Sequence, residues 1–216
     1  MRKSSAALSP ILLGLTCLLA LLLWLALPAQ TVIGLMSEDG PVESATVVAY
    51  LLAVLAIWLL RASTWPTRLA SSMVLLMFAA REMDLHRSLF GISMLKSRFY
   101  LSAPLLPRLT ALAILLPLAV ALVYLLWKHA RPLWRGLRQR QTVAVTIACF
   151  LMALATSKVI DRSLNVLIEI ADFHSPLWLQ ALQLAFEETL ELLLPILALV
   201  AAWQSSPYRK TTLTIA

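Results

Sequence analysis

Long stretches of this chain carry no charged side chain, and this feature limits its fold more than any other. From Ser4 to Ser37 there is no Asp, Glu, Lys or Arg. Further uncharged stretches are Ser44–Leu60, Leu69–Ala80, Leu109–Trp127, Gln141–Ser157, Ser175–Phe186 and Leu192–Tyr208. Hydrophobic residues make up 61% of the chain and charged residues 13%, whereas soluble domains have about a half and a quarter. This composition excludes a water-soluble enzyme, a disordered tail and a disulfide scaffold, and it predicts a multi-pass membrane protein.

The uncharged stretches predict an all-α fold, a polytopic bundle of about six transmembrane helices in one integral-membrane domain spanning residues 1–216. A helix needs about 20 residues to cross ~30 Å of hydrocarbon, so two of the stretches reach that length only if charged residues enter the membrane. The predicted helices are 8–28, 44–61, 67–86, 107–128, 142–170 and 176–203. The segment 88–106 is too polar to span and too apolar for a free loop, which predicts an interfacial position on the outer face.

The distribution of basic residues predicts that both termini are cytoplasmic. In that orientation the cytoplasmic pieces are 1–7, 61–68, 128–141 and 204–216, and they hold eleven basic residues and no acidic one. These are Arg2, Lys3, Arg61, Arg68, Lys128, Arg131, Arg135, Arg138, Arg140, Arg209 and Lys210. Positive charge collects on the cytoplasmic side of membrane proteins, which favours a bacterial inner membrane. We expect the basic loop 128–140 to contact anionic lipid headgroups, and we expect no nucleic acid partner.

Charged residues inside three predicted helices are the candidate functional residues, because such groups are costly in a membrane and are functional by default. They are Glu82, Asp84 and His86 on the third helix, Lys158, Asp161 and Arg162 on the fifth, and Glu187, Glu188 and Glu191 on the sixth. On the fifth and sixth helices polar residues recur every three or four positions, which places them on one face of each helix. Counted from the inner helix ends at about 1.5 Å per residue, the cluster lies in the outer half of the bilayer.

Acidic groups outnumber basic ones in this cluster. Six carboxyls (Glu82, Asp84, Asp161, Glu187, Glu188 and Glu191) face three cations (Arg81, Lys158 and Arg162). The excess has to be protonated, solvated or bound to a cation. The metal hypothesis places a divalent cation between Glu82, His86, Glu187 and Glu191.

Two neighbours of the cluster receive structural interpretations. Ser157 is expected to bond to its own helix backbone, as serine in membrane helices usually does. Pro195 cannot donate to the carbonyl of Glu191, four residues earlier, and this predicts a kink. We interpret that kink as a packing feature, although a free carbonyl beside Glu191 also suits a cation or a water.

The sequence leaves three functions open. The first is binding or transport of a cation, protons or a polar headgroup by the cluster, with Glu187, Glu188 and Asp161 carrying the activity and Lys158 and Arg162 holding them. The second is a membrane-embedded enzyme, metal-dependent in one version, that acts on a lipid or polyprenyl substrate at the outer leaflet. The third is a non-catalytic subunit, paired with a membrane protein or with its own copy, in which the charges hold helices together.

The orientation is directly testable with a reporter fused after Ala216. Because the basic excess lies on the side of the termini, we expect a fused alkaline phosphatase to be inactive and a fused fluorescent protein to be bright in the cytoplasm. The same reporters inserted after Gly40, which the prediction places outside, are the matched control and should give the opposite result. If the phosphatase fused after Ala216 is active, Ala216 lies in the exterior compartment, and the prediction is contradicted.

Overall fold

The computed structural model describes residues 6–37, 40–85, 99, 104–171 and 174–206, and across these residues the regular structure is entirely α-helical. In chain order the helices are α1 Leu8–Ala26, α2 Ala29–Met36, α3 Pro41–Leu59, α4 Trp65–Glu82, α5 Leu105–Arg138, α6 Thr142–Ala171 and α7 Leu177–Ser205. The predicted all-α class is therefore confirmed.

Prolines define where most of these helices begin. Pro28, Pro104 and Pro176 are the residues immediately before α2, α5 and α7, and Pro41 and Pro66 lie in the first turns of α3 and α4. Proline suits these positions because a helix start does not use its backbone N–H and needs the φ value that the ring imposes. The residue before a proline avoids the helical region, and α1 accordingly ends where Leu27 becomes extended.

The last helix, α7, lies in the middle of the bundle. It packs against α1, α2, α3 and α6, and its buried residues run from Ala181 to Gln204. Small residues such as Ala181 and Ala185 are fully buried where α7 meets α1 and α2. A helix surrounded by other helices can carry polar side chains that lipid would not accept.

The side chains of α5 face outward. Leu116, Val120, Val123, Leu126 and Trp127 each expose more than half of their surface, and α5 packs along one side against α4 and α6. Apolar surface of this extent is stable against lipid and not against water.

By length and composition, four helical stretches of the described residues are suited to cross a membrane: Leu8–Ala26, Ala29–Leu59, Leu105–Arg138 and Thr142–Ile170. These four stretches support a membrane protein. The count of six crossing helices stays a prediction, because α4 and α7, which carry the charged cluster, are not among the four.

The helices α6 and α7 form an antiparallel pair. Thr146 donates to the Gln204 side chain at 2.8 Å, Lys158 contacts Glu191 at 2.6 Å, and the Gln183 amide donates to the carbonyl of Asp161 at 3.1 Å. As the α6 number rises the α7 number falls, so the chains run in opposite directions. Thr146 also bonds to Ser9 of α1 at 2.6 Å, which adds α1 to this buried contact.

The structure corrects one boundary. The segment 128–140 was interpreted as a basic loop, but α5 continues as a helix to Arg138 and includes Pro132. The segment remains basic on an exposed surface, and only its last residues form the turn into α6. The predicted interfacial segment 88–106 and His86 lie largely or wholly outside the described residues. Within that segment Phe99 is described, and it is buried against Ala111.

The α5–α6 turn is so tightly packed at Gly136 that the addition of one methyl group there tests the packing. A Cβ at Gly136 would lie 2.8 Å from the Cβ of Ala144, whereas a Cβ at Gly14 has nothing within 4 Å. We expect Gly136→Ala to lower the free energy of unfolding by about 1–3 kcal/mol through overpacking. Gly14→Ala should leave it unchanged or raise it by up to about 1 kcal/mol through helix propensity. Thermal unfolding in detergent measures both, and equal effects would contradict the close contact.

Candidate functional site

Glu191 of α7 is the residue on which the charged groups converge. It is 3% exposed, and it accepts hydrogen bonds from residues of two other helices. Arg81 of α4 approaches its two carboxylate oxygens with Nη2 at 3.0 and 3.3 Å. From α6, Lys158 Nζ lies at 2.6 Å and Ser157 Oγ at 2.8 Å, both from Oε1. A buried carboxylate therefore has two cations and one hydroxyl as partners, which is the pairing that a buried charge requires.

The local sequences explain why these groups can meet. Ser157 and Lys158 are neighbours on α6, and Asp161 follows at helical spacing, so that Asp161 Oδ2 lies 3.8 Å from Lys158 Nζ. Arg81 is in the last turn of α4, where a cation also interacts favourably with the helix dipole. The aromatic ring of Phe78, one turn before Glu82, contacts Tyr50 of α3 and Phe150 of α6. This ring contact holds the end of α4 against the other two helices.

A second carboxyl, Glu82, adjoins the first. Its side chain is 7% exposed and lies 3.9 Å from Arg81 Nη2, which is beyond hydrogen-bonding distance. The same nitrogen, Arg81 Nη2, lies 3.0 Å from Glu191 Oε1. Arg81 is thus shared between two acids, and its stronger contact is with Glu191.

Two more acids of α7 lie near this pair. Glu187 and Glu188 are both partly buried. The charged groups that act most strongly on Glu188 are Glu191, Glu187, Glu82 and Glu43, all of them acidic. Those acting on Glu187 include Asp161 and Glu191 as well as the cations Lys158 and Arg81. Acidic groups from α4, α6 and α7 therefore lie within 4 Å of two basic residues, Arg81 and Lys158.

The structure brings together some of the predicted site residues and not others. Glu82 and Glu191 lie beside Arg81, and Lys158 joins Glu191 to Asp161. Glu187 and Glu188 lie within one turn of Glu191 on α7 and are partly buried. Arg162 is exposed on α6, away from the position at which it was expected to hold the acids. Asp84 lies just beyond the end of α4 with a φ of 42°, and His86 lies outside the described residues. No three His, Cys, Asp or Glu residues among those described are arranged to hold a metal ion.

Three residues were not predicted as members of the site: Arg81, Ser157 and Tyr50. Arg81 was counted only as a counter-charge, although a basic residue beside an acidic one at the end of a membrane helix is itself a signal. Ser157 was expected to bond to the backbone, and this was wrong: its hydroxyl donates to Glu191. Tyr50 of α3 is fully buried, and the signal for it was a tyrosine within an otherwise apolar stretch.

An apolar groove of about 320 Å³ lies between α6 and α7, next to the charged cluster. It is lined by Ile160, Ser163, Leu164, Leu167, Leu179, Leu182, Gln183 and Phe186. None of the charged residues of the cluster lines this groove, so it differs from the acidic cavity that a solvated site would present. Its apolar walls suit a hydrocarbon chain of the surrounding lipid.

No family model, curated protein or solved structure matches this chain. Its function is therefore inferred from the contacts of the cluster. Chemically, the arrangement is able to hold one ionised carboxylate firmly and to place a second carboxyl near the same guanidinium.

The hydrogen bond from Ser157 offers a test of the site geometry. Ser157→Ala removes a buried donor to a carboxylate, and we expect it to lower the free energy of unfolding by about 1.5–3 kcal/mol. The matched control is Ser163→Ala on the same helix. The hydroxyl of Ser163 is exposed and bonds to the carbonyl of Ile160, so its loss should cost less than about 0.5 kcal/mol. Equal unfolding temperatures for the two variants in detergent would contradict the contact with Glu191.

Proposed function

We propose that this chain is an integral membrane protein that binds protons reversibly at the Glu82–Glu191 carboxyl pair, as part of proton-linked transport or binding. The observation that carries this proposal is that two buried carboxyl groups share one guanidinium nitrogen: Arg81 Nη2 lies 3.9 Å from Glu82 and 3.0 Å from Glu191. Two ionised carboxylates around the same guanidinium repel each other, and a proton on one of them removes that repulsion. Since Arg81, Lys158 and Ser157 all bond to Glu191, Glu191 is the ionised member and Glu82 is the member that accepts the proton.

A proton fits this site better than a metal ion does. Arg81 and Lys158 both lie within 3.0 Å of Glu191, and their positive charges would repel a divalent cation. A hard cation such as Ca²⁺ also needs six or more oxygen ligands. A proton needs only one basic oxygen, which a single carboxylate supplies. The first hypothesis named a cation, protons or a polar headgroup as the bound species, and the proposal keeps only protons.

The remaining acids would connect this pair to solvent. Asp161, with a side chain 35% exposed, and the partly buried Glu187 and Glu188 would pass protons between the exterior and Glu82. This route requires the predicted topology, with six crossing helices, cytoplasmic termini, the cluster in the outer half of the bilayer and an inner-membrane location. These features remain part of the proposal.

The basic end of α5 would anchor the protein to lipid. Lys128 donates to Tyr124 and to two threonines of α4 and its preceding turn at 2.7–3.1 Å. Arg131, Arg135, Arg138 and Arg140 are exposed beside it. Exposed cations at a membrane surface attract anionic headgroups, which makes such lipids the partner that we propose for residues 128–140.

A scaffold role is the second candidate, and the complete pairing of Glu191 favours it. A carboxylate that is 3% exposed and bonded to two other helices is also what a purely structural lock would show. Such a subunit would use the cluster to fix its helices and would meet another membrane protein, or its own copy, elsewhere on its surface. The two candidates differ in whether any carboxyl of the cluster changes its protonation.

Infrared difference spectroscopy distinguishes proton binding from scaffolding without knowledge of a substrate. For the protein in lipid films, a change from acidic to alkaline buffer should remove the carbonyl band of a protonated carboxyl in the cluster. We expect Glu82→Gln to delete that band, because glutamine keeps the shape of the side chain and cannot ionise. The matched control is Glu169→Gln on the exposed face of α6, which should retain it.

Two results would count against proton binding. A wild-type spectrum in which no band depends on Glu82 would favour the scaffold. So would a Glu82→Gln protein that retains every proton-dependent property of the wild type in reconstituted vesicles.

A further inference from the structure

One face of α5 carries a row of side chains, here called the α5 stripe, that changes from apolar to aromatic to basic along the helix. Its members recur at helical spacing and therefore share that face. They are Val120, Val123, Tyr124, Trp127, Arg131 and Arg135. Val120, Val123 and Trp127 are 62%, 65% and 84% exposed, so the stripe faces away from the bundle.

The apolar part of the stripe lines a groove of about 410 Å³, whose walls are Ala119, Val120, Val123, Tyr124 and Trp127. These residues belong to the end of the charge-free stretch Leu109–Trp127, which is about 28 Å long at 1.5 Å per residue and matches a hydrocarbon layer of ~30 Å. The groove therefore lies in the leaflet nearer the α5–α6 turn, with Trp127 at the boundary of the hydrocarbon.

Arg131 follows Trp127 by one helical turn, about 6 Å further along the axis, which places it at the level of the lipid headgroups. Side chains of a helix lean toward its N-terminus, so the guanidinium of Arg131 leans back toward Trp127 and the groove. Arg131 and Arg135 are both exposed. The stripe thus presents a hydrocarbon surface and a basic surface in the order in which a phospholipid presents its acyl chain and its phosphate.

Hydrogen bonds fix the basic end of the groove. Lys128 Nζ donates to the hydroxyl of Tyr124 at 2.7 Å, to Thr64 at 3.0 Å and to Thr67 at 3.1 Å. These three bonds join α5 to the start of α4 and use all the hydrogens of the ammonium group. Lys128 therefore contributes a fixed positive charge beside the groove, and the direct hydrogen bonds to an anion fall to Arg131.

The protein supplies no acid to these cations from the neighbouring sequence. No Asp or Glu occurs between Leu85 and Ile160, so neither α5 nor the first half of α6 offers a carboxylate. A basic surface of this kind at a membrane boundary attracts anionic lipid.

We propose that the α5 stripe is a binding site for one phospholipid with an anionic headgroup, whose acyl chain lies along the groove and whose phosphate bonds to Arg131. A guanidinium suits this role because it donates two parallel hydrogen bonds to a phosphate. Trp127 lies between chain and phosphate, at the level where tryptophan is enriched in membrane proteins. The inference rests on the lipid partner of the proposed function and adds one defined site to the general attraction of residues 128–140.

The test is native mass spectrometry of the full-length protein in detergent with added phosphatidylglycerol or phosphatidylcholine of the same acyl chains. We expect one phosphatidylglycerol to be retained in preference to phosphatidylcholine, whose choline cation Lys128 and Arg135 repel. Arg131→Gln should weaken this binding about fivefold, the effect of one basic residue at a membrane surface. Trp127→Ala should also weaken it, because the groove loses a wall. Both side chains are exposed, so neither variant should disturb folding.

The matched controls are Arg140→Gln and Trp65→Ala. Arg140 is an exposed basic residue of the α5–α6 turn outside the stripe, and Trp65 is a 58% exposed tryptophan at the start of α4 that does not line the groove. Neither control should change the retained lipid. Glycerophosphoglycerol, which has the same headgroup and no acyl chain, should not displace it at equal concentration.

The outcomes separate the site from the general attraction. Equal weakening by Arg131→Gln and Arg140→Gln, with no effect of Trp127→Ala, would overturn the site and leave the attraction of residues 128–140 standing. Displacement by glycerophosphoglycerol would show that the groove has no part in binding, which also overturns the site. If the wild type retains both lipids equally, the proposed lipid partner fails and this inference fails with it, whereas proton binding by Glu82 keeps its own infrared test.

Discussion

A carboxylate in the interior of a membrane protein persists only where positive charge reaches it, and the arrangement of this bundle follows from that requirement at Glu191. Ionised groups lose several kcal/mol of hydration when they leave water, and only close, hydrogen-bonded partners offset this loss. Glu191 obtains them from Arg81 at the end of α4 and from Ser157 and Lys158 in α6. Three helices are therefore fixed relative to one another at one point along their length. The contacts of α4 and α6 with α7 depend on this point as much as on apolar packing.

The same requirement accounts for the positions of the other helices. The helix α7 carries three acidic residues, more than any other described helix, and it is surrounded by α1, α2, α3 and α6, so that its polar groups face protein. The helix α5 has no charge along its apolar stretch Leu109–Trp127 and turns most of that surface outward. The different positions of α7 and α5 thus agree with the charge that each of them carries. Under the proposed function, a proton that binds to Glu82 would be a local event, because Arg81 and Lys158 already compensate the negative charge of Glu191.

Sequence patterns predicted that the chain is helical and predicted many residues of the cluster. They missed the contacts that depend on where a side chain points. Uncharged stretches indicated where α1, α5 and α6 lie, because hydropathy acts locally. Spacing indicated that Lys158 and Glu191 lie at similar depths, and they are in contact. The sequence favoured Glu187 and Glu188, whereas the basic residues converge on Glu191; all three acids of α7 have similar surroundings in sequence, so the sequence offered no means of choosing Glu191. Ser157 and Tyr50 were missed for a related reason: uncharged residues reveal a polar role only when their neighbours in space are known. The helical end of α5 was missed because basic composition indicates exposure and does not distinguish a loop from an exposed helix.

The most direct test of this account is a double-mutant cycle between Arg81 and Glu191, measured by unfolding in detergent. Arg81→Met and Glu191→Leu each remove one partner and should each destabilise the protein, because the other charge loses its compensation. When both are removed, the loss should be smaller than the sum of the two by about 0.5–3 kcal/mol, the range found for residues in direct contact. Losses that add to within about 0.3 kcal/mol would show that the two residues act independently, and Glu191 would then not be the point that fixes α4 against α7.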